Sequence, residues 1–302
     1  MKHKIKMSNK DLKNLVGTSE TTRENIMSPL LSIHRPDHKY PDATQIGYYL
    51  AGLIDGDGWI CKEEDQPKIV IAFHKKDIHV GYYLKSFFNN GTIKEHITKQ
   101  SATLTFTNKI ALVKICSLIH NKIKIKEKIK RLNSLISRLP IVSTVLSPSI
   151  RPPLYENLDK NHYLAGLIDA DGCLTIRLLD RVKRNKTEVR LYLRMDLLRD
   201  PTTKNDSEDI IKEFKSVFGG QISFPRKHMN NLSSSYSLSY NSVSFKNMYK
   251  VLKYLDEYNL NSKYLEYTYL RKAYLIVQDK RHLEEEGLNL IKEYQLKMSK
   301  LK

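Results

Sequence analysis

Two aspartates, Asp57 and Asp171, close two copies of one short apolar run in a chain of 302 residues. Tyr48-Tyr49-Leu50-Ala51-Gly52-Leu53-Ile54-Asp55-Gly56-Asp57-Gly58 returns as His162-Tyr163-Leu164-Ala165-Gly166-Leu167-Ile168-Asp169-Ala170-Asp171-Gly172. From Leu50 to Gly58 the copies differ only at Gly56 against Ala170, and each position recurs 114 residues later. Carboxylates brought side by side repel, and at least one pKa rises unless a cation lies between them. A divalent metal is the economical resolution. One copy alone would read as a buried helix followed by an Asp-Gly turn. Two copies with the same ending, at domain-sized spacing, signal a duplicated unit.

The elements that must position these acids follow from the same residues. Leu50, Leu53 and Ile54 recur at helical spacing, so each copy reads as a short apolar helix. Gly52 and Gly56 sit one turn apart, as do Gly166 and Ala170. Small residues at that spacing strip bulk from one stripe and let a second helix approach backbone to backbone. Each helix ends at a glycine, Gly58 or Gly172, a favoured C-terminal residue. If the helices pack on each other, Asp57 and Asp171 meet at their tips.

Composition bounds the partners. Fifty-one Lys+Arg against 33 Asp+Glu leave a formal charge of +18. That favours a polyanion, with nucleic acid the commonest, although a ribosomal or membrane-surface protein would be equally basic. Cys61, Cys116 and Cys173 are odd in number, widely spread and without a CxxC pair, which argues for a reducing compartment and against a disulfide framework or a zinc site. No apolar run approaches the roughly 20 residues that span a bilayer, so no membrane partner is expected.

The length suits two domains. Residues 1–44 read as a polar lead-in without a secretory signal, a flexible stretch broken by Pro36 and Pro41. Residues 45–138 form a first half, 139–160 a proline-containing extended linker, 161–280 a second half, and 281–302 an amphipathic C-terminal helix that packs rather than reacts. In the first half, strands are expected at Trp59–Lys62 and Lys68–His74, a helix at Asp77–Asn89, strands at Thr92–Thr98 and Ala102–Thr107, and a helix at Lys109–His120. Ile93 and Ile97 should face one way and Lys94 and His96 the other; Leu104 and Phe106 oppose Thr103, Thr105 and Thr107. The second half repeats the order. Leu174, Ile176 and Leu178 alternate with Thr175 and Arg177, and Leu191, Leu193 and Met195 with Arg190, Tyr192 and Arg194. A helix spans Asp206–Phe218, a hairpin uses Gln221–Phe224 and Ser235–Asn241, and Phe245–Tyr258 is helical.

The doubled motif resembles that of the LAGLIDADG homing endonucleases of the single-chain type, over roughly residues 45 to 280. The resemblance implies an α+β protein of two tandem αββαββα halves about a pseudo-twofold axis, with the motif helices at the centre and two antiparallel sheets forming a DNA-binding saddle. It implies that Asp57 and Asp171 bind Mg²⁺ and cut DNA, with main-chain carbonyls at Gly56 and Ala170 completing the coordination. Mn²⁺ is expected to substitute, and Ca²⁺ to bind without supporting cleavage. Asp55 and Asp169 read as capping or interface groups instead. The segment Asn259–Tyr267 looks like the family's segment carrying a lysine near the metals, which singles out Lys263. Its first-half counterpart, Asn121–Ile129, places Lys128 opposite, with Lys126 a rival.

With that resemblance, the polar sheet faces read as a basic ribbon for a major groove rather than as solvated surface alone. The residues placed on it are Lys62, Lys68, Lys94, His96, Arg177, Arg190, Tyr192, Arg194, Gln221 and Ser237. The expected activity is a staggered double-strand break in a long, non-palindromic duplex, made by a monomer. Two other readings stand beside it: an intron-encoded maturase that binds its host intron RNA, and a DNA-binding regulator without cleavage. Richness in Lys, Ile, Asn and Tyr, whose codons are A/T-rich, suits an organellar, mitochondrial gene.

Overall fold

The computed structural model describes residues 29–152, 158–181, 186–199, 204–223 and 236–301. Helix α1 (Ile46–Asp57) is apolar nearly all round and buried from Ile46 to Ile54 except at Tyr48, as a helix without a polar face must be. After it come β1 (Gly58–Ile60), β2 (Ile69–His74), α2 (Ile78–Phe88), β3 (Thr92–His96), β4 (Ser101–Phe106) and α3 (Lys109–Ile119). That is the expected αββαββα order, extended by α4 (Lys126–Ser137) and the one-turn α5 (Pro140–Ser143). The second half runs α6 (Tyr163–Asp171), β5 (Gly172–Arg181), β6 (Lys186–Arg199), α7 (Lys204–Phe218), β7 (Gln221–Ser223), β8 (Tyr236–Ser242), α8 (Phe245–Glu257) and α9 (Tyr264–Gln278). The closing helix is α10 (Glu285–Lys300).

Each half holds one antiparallel four-stranded sheet, ordered β1-β2-β4-β3 and β5-β6-β8-β7. The registers align the two-residue alternation across all strands. Ile71 pairs with Leu104 and Ile93 with Leu104, so one face is apolar, while Lys94 opposite Thr103 and His96 opposite Ser101 share the other. In the second sheet Leu174–Leu193 and Ile176–Leu191 cover the core, whereas Thr175–Tyr192 and Arg177–Arg190 face outward. The inner faces supply buried Ile69, Ile71, Leu104, Phe106, Leu193, Met195 and Tyr240. The halves differ in their first hairpin: β1 has 3 residues, but β5 has 10 and β6 has 14. The longer arm presents more outward side chains from the second half.

Four expectations are refined or changed. First, Gly58 and Gly172 close the motif helices as expected, but at φ −92° and −74° rather than in the left-handed conformation. They are glycines because the strand folds back on the helix, so that a Cβ on Gly58 would lie 2.5 Å from Ile54 Cα. Second, β3 stops at His96, since Ile97–Lys99 forms a 3-10 turn closed by Gln100 at φ 48°, and Ile97 is 72% exposed rather than inward-facing. Third, β1 ends before Lys62, which lies in a turn where its N–H reaches Asp65 Oδ2 at 3.4 Å.

Fourth, the described part of the lead-in is strapped to the second half. Arg271 donates to the Ser32 and His34 carbonyls at 2.8 and 3.1 Å, and Leu31 exchanges hydrogen bonds with Gln278, while Tyr40 stacks on Tyr83 of the first half at 4.1 Å. Pro36 and Pro41 keep this segment extended, and its polar groups find partners on α9 instead of water. Residues 1–28 lie outside the described residues. The described linker residues, 139–152 and 158–160, carry α5 and a 3-10 turn at Leu158–Lys160; residues 153–157 lie outside the described residues. Helix α10 packs through Ile291 and Met298, and Gln295 donates to the Ile176 carbonyl at 3.1 Å. Among the described residues no helix is long and apolar enough to cross a membrane, and none of the three cysteines forms a disulfide.

Candidate active site at the ends of the motif helices

Helices α1 and α6 touch through their backbones. A Cβ built on Gly52 would meet the Tyr163 carbonyl oxygen at 2.0 Å, and one on Gly166 would meet the Tyr49 carbonyl oxygen at 2.0 Å. The contact is reciprocal, as a pseudo-twofold requires. One turn later a Cβ on Gly56 would lie 2.3 Å from the Ala170 Cβ. The space between the helices holds a single methyl there, which accounts for the one difference between the two motif copies.

Two further pairs lock the helices together. Tyr163 on α6 donates to Asp55 Oδ2 at 2.7 Å, and Tyr49 on α1 donates to Asp169 Oδ2 at 2.9 Å. Asp55 also accepts from the Lys124 and Ile125 N–H groups just before α4, at 2.7 and 3.4 Å. Asp169 accepts from the Asn261 and Lys263 N–H groups and the Ser262 hydroxyl just before α9, at 2.7, 3.0 and 3.0 Å. Both acids are buried. They are interface and helix-start acceptors, and their lone pairs are committed to those donors.

Asp57 and Asp171 occupy the helix tips. Asp171 lies against Gly56: the position of a Cβ there is 2.9 Å from its Oδ2. Burial first, then the charge of Asp57, pushes the Asp171 carboxyl up to about 6, against the pull of Lys263 and Lys128. The Asp57 carboxyl is also raised, by desolvation, with Lys263 and then Lys128 opposing. Two lysines complete the constellation. Lys128 Nζ donates to the Ile54, Asp55 and Gly56 carbonyls at 2.5, 2.8 and 3.3 Å. Lys263 Nζ donates to the Ile168, Asp169 and Ala170 carbonyls at 2.8, 2.7 and 3.0 Å. Each ammonium thus docks on the carbonyl end of its own half's helix, where the backbone dipole favours a cation. Burial lowers both lysine pKa values, and Asp55, Asp171 and Asp57 oppose this at Lys128. At Lys263 the opposing acids are Asp169, Asp77, Asp57 and Asp171. Lys126, the rival, faces away, with its Nζ 3.5 Å from Asp206 Oδ1.

The donor set suits a hard divalent cation. It consists of oxygen only: the Asp57 and Asp171 carboxylates and the Gly56 and Ala170 carbonyls, whose second lone pairs the lysines leave open. Among the described residues no group of three or more His, Cys, Asp or Glu is arranged around a metal position. A dedicated soft-metal cage is therefore absent from that part of the chain, and an ion that keeps several waters fits the two acids better.

Most of the residues expected on the outward sheet faces are there. Arg177, Arg190, Tyr192 and Arg194 share one face by register, with Arg177 5.1 Å from the Tyr192 ring centroid. Gln221 pairs with Asn241, which pairs with Arg194. Ser237 pairs with Leu198 in the backbone ladder, and its side chain lies outside the description. Lys94 and His96 point outward from β3, where His96 Nε2 is 3.2 Å from Thr103 Oγ1. Lys68, just before β2, sits 5.5 Å from the Trp59 ring. Lys62, in the turn, is exposed but off the ladder. Two arginines are held by acids on the same face, Arg190 by Glu188 at 2.6 Å and Arg194 by Asp196 at 2.7 Å.

Comparison with known proteins gives the family. The family model described as LAGLIDADG endonuclease matches residues 164–274. An uncharacterized cox1 intron-2 protein of Schizosaccharomyces pombe is 36% identical over 91% of this chain and 80% of its own length. The chain belongs to the LAGLIDADG endonuclease family. Two relatives from Saccharomyces cerevisiae are more distant. The intron-encoded DNA endonuclease aI3 is 24% identical over 83% of this chain and 69% of its own length. The intron-encoded RNA maturase bI4 is 26% identical over 88% of this chain and 43% of its own length. The structure of I-SmaMI bound to uncleaved DNA target in the presence of calcium ions shares the fold, with a TM-score of 0.56 at 21% identity, covering 84% of this chain and 98% of that one.

Sequence reasoning missed three features of this LAGLIDADG site. The tyrosine pair Tyr49/Tyr163 was visible as one repeated position beside the motif, but nothing local linked it to the opposite aspartate. Asp77, near Lys263, had no counterpart in the motif. The buried Lys124–Glu213 pair, 2.9 Å between Nζ and Oε1 and at most 3% exposed, joins the halves behind the site and required knowledge of how α7 meets the start of α4.

Proposed function

We propose that this LAGLIDADG protein is a homing endonuclease that cuts both strands of a long, non-palindromic duplex. The reading rests on the convergence of two helix-tip carboxylates, Asp57 and Asp171, each with raised pKa and each near a lysine ammonium docked on a helix end. A pair of acids destabilised in this way calls for a bound cation. Asp57 and Asp171, with the Gly56 and Ala170 carbonyls, are the residues that would hold it. Bound there, Mg²⁺ would polarise the scissile phosphate and lower the pKa of water. Mn²⁺ substitutes in this scheme, and Ca²⁺ supports binding without cutting.

The chain's own residues do the rest. Lys128 and Lys263, fixed by three carbonyls each, offer positive charge to the phosphate oxygens as negative charge develops. Asp55 and Asp169 hold the segments that carry those lysines, and the tyrosines keep the two tips in register. The outward faces bind the duplex: Arg177, Arg190, Arg194, Lys68 and Lys94 through phosphates and base edges, Tyr192, His96, Gln221 and Ser237 through polar contacts, and Lys62 from the flanking turn. The unequal hairpin arms, β1 of 3 and β5 of 10 residues, make the two half-sites different. The chain carries both halves and works as a monomer, and its cox1-intron relative suggests an intron of a mitochondrial genome.

The test uses a duplex with the joined sequences that flank the reading frame. Cutting with Mg²⁺, binding without cutting in Ca²⁺, and loss of cutting in Asp57→Asn and Asp171→Asn are expected. Binding with no cutting in any metal would identify a regulator; accelerated splicing of the host intron without cutting would identify a maturase.

A further inference from the structure

The two ends of the motif-helix pair are not equivalent. Beside Asp57 and Lys263 opens a cleft of about 260 Å³, lined also by His74, Lys76, Asp77 and Ser262. Asp77 ends the 3-10 turn that leads into α2, and it is only 9% exposed. Its side chain does not cap α2, and it makes no hydrogen bond to any described residue. The groups around it are otherwise engaged. Lys76 Nζ is 3.2 Å from Glu266 Oε1 and 2.6 Å from the Leu301 carbonyl, and Lys263 Nζ sits on its three carbonyls. Buried carboxylates in folded proteins have hydrogen-bond partners. What remains open to Asp77 is the cleft, which sets Asp57, Lys76, Ser262 and Lys263 among Leu53, Phe73 and Val80 and is large enough for several waters.

The other end lacks this group. Helices α2 and α7 end alike at Phe88 and Phe218, and counting back from those ends puts Ser207 opposite Asp77. The adjacent acid, Asp206, is directed elsewhere: it accepts from the Lys126 N–H at 2.8 Å and lies 3.8 Å from Arg151.

Building on the nuclease reading, we infer that Asp77 is a positioning residue for one of the two strand cuts, its carboxylate accepting a hydrogen bond from water held in the cleft between Asp57 and Lys263. The two strands are then cut by unlike sites. Asp77 serves the site built from Asp57 and Lys263, and the Asp171 site works with a serine in its place.

The test is strand-resolved cutting by the full-length protein under single-turnover conditions. The substrate is the duplex recovered by selecting cleaved sites from a randomised library, with each strand carrying its own end label. Asp77→Asn should slow one strand by about ten- to a hundredfold, the scale of a hydrogen bond to a charged group, and leave the other within about twofold. Nicked plasmid should accumulate, and the slowed strand should be the one that Lys263→Met slows more than Lys128→Met does. Binding of the same duplex in EDTA should stay within about twofold, which a general structural defect would not allow. Equal slowing of both strands, no slowing, or slowing of the opposite strand overturns the inference while leaving the nuclease intact. If Asp77→Asn does not fold, Asp77→Ser, which copies the second half, carries the same expectations. A wild-type chain that yields no cleaved site refutes the nuclease reading itself, and this inference with it.

Discussion

Gly56→Ala probes the helix pair at its tightest point. The new Cβ would sit 2.3 Å from the Ala170 Cβ and 2.9 Å from Asp171 Oδ2. Non-bonded carbons rest at about 3.5–4.0 Å, so the helices must part by more than about 1 Å at the very turn that carries both acids. Overpacking of this kind costs about 1–3 kcal/mol, while replacing a helical glycine returns about 0.5–1 kcal/mol. The single variant should therefore lose about 1–2 kcal/mol. Ala170→Gly removes the opposing methyl and gives back the space. The double variant Gly56→Ala/Ala170→Gly again holds one methyl, now on the other helix, and its stability should return close to that of the parent. The propensity contributions cancel around the cycle, which leaves a coupling of about 1–3 kcal/mol in favour of the double variant. Equilibrium urea unfolding in EDTA measures it. Additive single effects, with a coupling near zero, would show that the helices do not meet at this turn and would refute the reasoning from which the site is built. Cleavage should recover less than stability does, because the relocated methyl still presses on the Asp171 carboxylate.

Three other outcomes follow from named contacts. Tyr49→Phe and Tyr163→Phe each strip a hydrogen bond from a buried aspartate, and each should cost about 1–3 kcal/mol of unfolding free energy; a cost under a few tenths would mean the cross-helix pairs carry nothing. Lys124→Met leaves Glu213 charged and buried and should cost about 3–5 kcal/mol, whereas Lys124→Met/Glu213→Leu should be near neutral or stabilising, as chemical denaturation of the three proteins would reveal. His162 is 7% exposed, and burial pulls its imidazole from 6.5 down to about 4, against the attraction of Asp42. The unfolded chain thus binds the proton more readily: the stability this group permits is complete above pH 6.5 and is lost as pH falls toward 4, by up to about 3 kcal/mol. His162→Gln should flatten that part of the stability-against-pH curve; an unchanged slope between pH 6.5 and 4 would rule out a buried neutral imidazole.

Several features of the site could be read before any fold was known because they are periodic or repeated. The duplicated motif marked both helices, both terminal acids and the halves they belong to. Two-residue alternation separated Leu104 and Phe106 from Thr103 and Thr105, and the buried–outward pattern of β4 follows it. The same rule failed at Ile97, where a left-handed Gln100 ends the strand early. It failed at Lys62 too, because the first hairpin is short. Alternation names a face only while the ladder lasts.

The sequence by itself determined the two motif helices, the αββαββα order of each half, and the outward placement of Arg177, Arg190, Tyr192 and Arg194. Tertiary structure alone decided which groups share a site. Lys128 rather than Lys126 meets the end of α1 because Asp55, some 70 residues earlier in the chain, fixes where α4 begins and so sets its rotation. Gly56 is glycine because Ala170 stands opposite, the lead-in is ordered because α9 offers it hydrogen bonds, and Asp77 enters the cleft because α2 starts beside Lys263. Local spacing encodes an element and its faces through the backbone's own period. The meeting of distant residues depends on how those faces pack, and no local period carries that information.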